Sequence, residues 1–176
     1  MFLSTLIHEI AHASVMAQKS PSDTVMIWRT SYGGLAELPE LYSGDALHRL
    51  SATLAGPVSD FVQRARRYPD NYAELHKVGR FLPHSKFDLE KLEGEDHDDL
   101  DAAMVDAILG VRQALDFAKA FPDAFADAAA MLQEIGDGVS IDLSTGTIIP
   151  LRDLNMMDGM DTELLAQVES LVGVRH

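Results

Sequence analysis

Two histidines four residues apart, with a glutamate beside the first, are the residues of this chain best placed by type and spacing to do chemistry: His8-Glu9-Ile10-Ala11-His12. On an α-helix, residues four apart lie on one face, about one turn from each other. Both imidazoles then point the same way and can hold one metal ion, Zn2+, through ring nitrogens. Glu9 falls on the flank of that face, where it can reach a water beside the metal without ligating. The H-E-x-x-H pattern provides this division of labour for hydrolysis. Zinc polarises a scissile carbonyl and acidifies water, while Glu9 takes the proton and later delivers it to the leaving amine. His8 and His12 stand among Leu6, Ile7, Ile10, Ala11 and Ala13, a stretch expected to be buried. Two imidazoles there need a partner. A metal is one such partner; hydrogen bonds to buried acids are the plainer one.

A catalytic zinc takes three protein ligands. The chain has no Cys, so thiolate ligands, disulfides and cysteine catalysis are excluded. The acidic run Glu93-Gly94-Glu95-Asp96-His97-Asp98-Asp99 offers Asp96, His97, Asp98 and Asp99, and Asp60 follows Gly56-Pro57-Val58-Ser59. Spacing alone does not choose among them, and Asp98 suits equally well as a helix N-cap.

The elements that must position these groups read as mainly α-helical with a small β element. Residues 3 to 19 lack Pro and Gly and carry apolar residues at helical spacing, so they form the zinc helix. Ser20-Pro21-Ser22-Asp23 stops it. Thr24 to Thr30 is a strand, rich in β-branched and large apolar residues, and Tyr32-Gly33-Gly34 a turn before a loose stretch to about Ser43. A second helix covers Asp45 to Arg67, with Pro57 expected to kink or divide it. Residues 72 to 79 read as a short helix and 80 to 97 as irregular. A third long helix runs from about Asp99 to Ala118 with Asp98 as its N-cap. A further helix follows from Pro122 to about Ile135, then a hairpin around residues 139–149 and a short helix from Thr162 to Val172. The 176 residues, 47% apolar, suit one domain over 1–176.

The formal charge of −14 disfavours nucleic acid and anionic lipid as partners, since Arg64-Ala65-Arg66-Arg67 is a short basic cluster. No apolar run approaches the ~20 residues of a membrane span, and the N-terminus does not read as a signal peptide. A cytoplasmic location is the expectation.

The order of these features resembles the peptidase domain of the FtsH-type membrane-anchored, ATP-dependent zinc metalloproteases. Their His-Glu-Ala-Gly-His-Ala helix is close to HEIAHA at 8–13, and their strand and glycine turn resemble VMIWRTSYGGLA at 25–36. LAGPVSD at 54–60 partly repeats their Ala/Gly-Gly-Arg-Ala-Ala-Glu signature, with Pro57 in place of the Arg and Ser59-Asp60 in place of the glutamates. Their Asn-Asp-Leu-x-x-Ala stretch, which opens a long helix, resembles Asp98-Asp99-Leu100-Asp101-Ala102-Ala103. The resemblance covers residues 3 to about 118 and implies His8, His12 and Asp99 as the metal ligands with Glu9 as the base. No G-x-x-x-x-G-K-[ST] loop occurs, so the family's ATPase module is not carried over. A stand-alone peptidase domain is implied, acting on polypeptide or peptide substrates, as a homo-oligomer or beside a separate ATPase partner.

The expected function is therefore hydrolysis of peptide bonds by a zinc metallopeptidase, with Thr24 to Thr30 binding substrate as an added strand and Arg29 a candidate contact to it. The alternative is a catalytically silent metal-binding scaffold or interaction module derived from such a peptidase. The intact Glu9 speaks against it, because a structural site has no use for that base. His48, His76, His84 and His97 read as ordinary surface or hydrogen-bonded residues.

Overall fold

The computed structural model describes residues 2–39 and 42–151. Helix α1, Phe2–Ala17, contains no Pro or Gly and buries Leu6, Ile10, Ala11, Ala13 and Val15 completely. Full burial of each large aliphatic side chain contributes roughly 1.5–3 kcal/mol, so tertiary packing rather than intrinsic propensity holds this helix. It packs against two long helices, α2 (Ala46–Ala65) and α5 (His97–Ala120), which also pack on each other. Against α5 the approach is close: a Cβ on Gly110 would overlap Val15 and stand 3.1 Å from the Ala11 carbonyl oxygen.

Pro57 does not divide α2, which runs unbroken through it. The helix starts where the Asp45 carboxylate accepts from the His48 amide and ends at Arg66 in the left-handed conformation. The short helix α3, Tyr72–Gly79, agrees with its sequence reading and is capped by Asn71. The stretch 80–97 differs from expectation. It contains helix α4, Pro83–Glu90, with Pro83 in the first turn, where a missing N–H costs nothing. Ser85, Asp88 and Leu89 are its buried residues. Its apolar stripe is too short to show as periodicity in the sequence. The N-cap of α5 is Asp96, whose carboxylate accepts from the amides of Asp98 and Asp99; Asp98 is inside the helix and not its cap. Helix α6 spans Pro122–Met131.

Strands β1 (Thr24–Thr30), β2 (Gly33–Glu37), β3 (Gly138–Asp142) and β4 (Ile148–Pro150) form an antiparallel sheet in the order β2-β1-β3-β4. The segment after Tyr32 is thus a strand rather than a loose stretch. β1 is hydrogen-bonded on both edges, through Ile27 opposite Ala36 of β2 and opposite Val139 of β3. No described helix is long and apolar enough to cross a membrane. The helix expected from Thr162 to Val172 lies outside the described residues.

Candidate metal centre

His8 and His12 project from one face of α1, with ring centroids 4.7 Å apart and planes at 77°. His12 Nδ1 lies 2.6 Å from the carbonyl oxygen of Ala52 on α2. A carbonyl can only accept, so this nitrogen is the N–H donor. His8 Nδ1 lies 3.0 Å from Asp60 Oδ2, also on α2, and that same oxygen accepts from Ser85 Oγ of α4 at 2.6 Å. Each imidazole is therefore oriented through Nδ1, which leaves Nε2 to face the site.

The two Nε2 atoms are 3.0 Å apart, and Asp88 Oδ2 of α4 lies 3.0 Å from His8 Nε2 and 3.2 Å from His12 Nε2. Three electron-pair donors converging this closely repel one another unless positive charge sits among them. Four-coordinate zinc with arms of about 2.0–2.2 Å sets its donor atoms roughly 3.3–3.6 Å apart, so the observed triangle needs only a few tenths of an ångström of adjustment. Helix α2 closes the back of the triangle at Gly56, where a Cβ would overlap both Nε2 atoms. His8, His12 and Asp88 are the one group of metal-type donors so arranged among the described residues, and they can hold a metal ion.

The electrostatics point the same way. Burial works against charge on His8, but its hydrogen bonds to Asp60 and Asp88 prevail and push its pKa up to about 10. Burial likewise raises Asp88, yet the bonds from His12 and His8 hold its carboxyl well below the usual carboxylate range. Both shifts say that the site favours positive charge between these atoms.

Asp99 does not join the centre. It is exposed in the first turn of α5 and its amide is held by the Asp96 cap, while the carboxylate that meets both imidazoles is Asp88. The carboxylate that the resemblance implied thus stands apart from the two imidazoles. Asp88 was not among the candidate acids of the sequence, which lay in the run before the long helix and at Asp60. Asp96 caps α5, and His97 stacks edge-on against Tyr72. Asp60 is engaged at Nδ1 of His8, the nitrogen turned away from the triangle, and orients that ring.

Glu9 is buried beside His8 and opens onto a cleft of about 400 Å³ that it shares with His8, His12 and Asp88. Gly34 of β2 lies so close that a Cβ there would stand 2.7 Å from Glu9 Oε1. The rim carries Tyr32, 74% exposed, and Phe87, 48% exposed, with ring centroids 5.5 Å apart. A smaller lobe of about 160 Å³ continues past His12 and Asp88 along Leu35 and Ala36 of β2. Two further residues belong to this groove: His84, which the sequence offered only as an ordinary histidine, and Lys91, which it did not offer at all. His84 lines its wall and lies 3.2 Å from Thr5 Oγ1, and Lys91 lines both lobes. Arg29 lies instead on a separate cavity with Leu3, Thr5, Gly33 and His84.

No protein-family model, curated protein or solved structure matches the chain.

Proposed function

We propose that the chain is a zinc-dependent peptidase in which His8, His12 and Asp88 hold the metal and Glu9 is the general base. The observation that carries this reading is the shared cleft. Glu9 opens onto the same groove as two imidazoles and a carboxylate whose donor atoms converge within 3.2 Å of one another. A purely structural site would not place a buried, unligating carboxylate there. Zinc held at these atoms supplies the Lewis acidity that polarises a carbonyl and acidifies water. Glu9 accepts the proton of the attacking water and passes it to the leaving nitrogen. Asp60 and the Ala52 carbonyl keep both imidazoles facing the reaction.

Substrate binding by strand addition moves from β1 to β2. The two edges of β1 are occupied, whereas β2 is the outer strand of the sheet and lines both lobes of the groove. An extended polypeptide laid along β2 can pair with its backbone and pass over the metal centre. Tyr32, Leu35 and Phe87 give that path an apolar wall suited to apolar side chains. The likeness of residues 8–13 to the FtsH-type zinc helix supports the same chemistry.

The test is cleavage of casein or a peptide library by the zinc-loaded chain and by Glu9→Gln. The substitution is expected to lower kcat by about 10²–10⁴-fold while zinc stays bound in equal stoichiometry. Undiminished cleavage by Glu9→Gln removes Glu9 from the role of base. No cleavage by the intact, zinc-loaded chain gives the site to the metal-binding scaffold instead.

A further inference from the structure

Asp88 has two oxygens, and they are used differently. Oδ2 faces the imidazoles, at 3.0 Å from His8 Nε2 and 3.2 Å from His12 Nε2. Oδ1 lies 2.8 Å from the ammonium of Lys91, three residues on. Lys91 is the C-cap of α4, and its side chain, 67% exposed, reaches back over the last turn to the carboxylate. Among the described residues it is also the only Lys or Arg lining either lobe of the groove. An ion pair this exposed contributes little to folding. Its consequence falls instead on the carboxylate, because a carboxylate can meet a metal through one oxygen or through both.

We infer that Lys91 is a positioning residue that confines Asp88 to ligation through Oδ2 alone. The inference rests on the metal reading above. An ammonium on Oδ1 turns that oxygen away from the centre and offsets part of the carboxylate's charge. A site with three single-atom ligands keeps a coordination position for the reactants. A two-oxygen Asp88 would fill that position and close the site. The same cation also stands where both lobes meet, so its removal changes the charge of the groove as well as the mode of ligation.

The test uses the full chain and cobalt(II) as the probe, with Lys91→Met, which keeps the apolar stem, and Lys91→Arg, which keeps a donor for Oδ1. The intact chain and Lys91→Arg are expected to bind one cobalt with the intense visible bands of four-coordination. Lys91→Met is expected to bind one cobalt with a loss of that intensity, as a fifth donor enters. Loaded with zinc, Lys91→Met should lose roughly 10–100-fold in kcat, the range for partners behind a ligand, with KM little changed. A Lys91→Met spectrum identical to that of the intact chain overturns the inference. So does failure of Lys91→Met alone to bind cobalt, because a freed oxygen adds a donor rather than removing one. Absence of cobalt binding by the intact chain overturns the metal reading itself, and the titration separates that result from the others.

Discussion

At the scale of single residues, the centre is a matter of which atoms converge and what stands behind them. Asp88 completes the donor triangle, and Asp60 orients one corner of it. Replacing Asp88 by Ala is expected to abolish stoichiometric zinc uptake in a chelator competition. Asp60→Asn should weaken uptake by roughly 10–100-fold. Asp99→Asn should leave it unchanged, since that carboxylate is exposed on another helix. Uptake that depended on Asp99 and not on Asp88 would reverse the assignment. His8, Glu9 and His12 were legible in the sequence because helix geometry alone brings residues four apart to one face. Asp88 was not, because it lies 80 residues from His8 and reaches it through a helix with no visible periodicity.

At the scale of elements, the site is a place where three helices and a strand approach more closely than side chains usually permit. α2 presents Gly56 to the imidazoles and β2 presents Gly34 to Glu9. Gly56→Ala is expected to push His8 and His12 apart. It should weaken zinc binding strongly and destabilise the fold by about 1–3 kcal/mol, the range for overpacking, as read by denaturant titration. Gly34→Ala is expected to displace Glu9 instead, lowering kcat while zinc affinity is kept. If the two variants lose metal equally, the separation of ligand and base positions does not hold. Pro57 shows the same logic in reverse. Expected from its chemistry to kink or divide α2, it does not divide it and is accommodated within a helix whose buried face runs from His48 to Phe61. Packing on that face outweighs one missing backbone hydrogen bond.

At the scale of the whole molecule, metal and fold are linked, because ligands from α1 and α4 meet only in the folded chain. Zinc at about a hundredfold excess over its Kd adds about 2.7 kcal/mol, which raises Tm by roughly 5–10 °C for a chain of this size. Asp88→Ala should show no such rise in a thermal melt. The chelated chain has a pH dependence of its own. His8 has a folded-state pKa of about 10 against an ordinary 6.5, so the contribution of its imidazolium is fully present below pH 6.5 and is lost as pH rises through 10. The Tm of the chelated chain is therefore expected to fall between pH 7 and pH 10, and zinc uptake near pH 8 to release a proton from His8. A flat profile over that range would contradict the placement of Asp60 and Asp88 around this ring.

The amino-acid sequence by itself determined what is local. It placed two imidazoles and a carboxylate on one turn of a helix, β1 at Thr24–Thr30, the short helix α3, and a mainly helical chain with a small β element. Each of these follows from spacing along the chain. The tertiary structure alone decided which carboxylate meets both imidazoles, which strand lies on the outer edge beside the groove, and which glycines stand against these side chains. Those are questions of approach between segments far apart in sequence. Their answers lie in the packing of α1 and α4 on α2, where Gly56 leaves room for two Nε2 atoms and Asp88 meets both. The H-E-x-x-H helix presents two imidazoles and a carboxylate, and the folded chain brings Asp88 to the imidazoles beside a shared cleft.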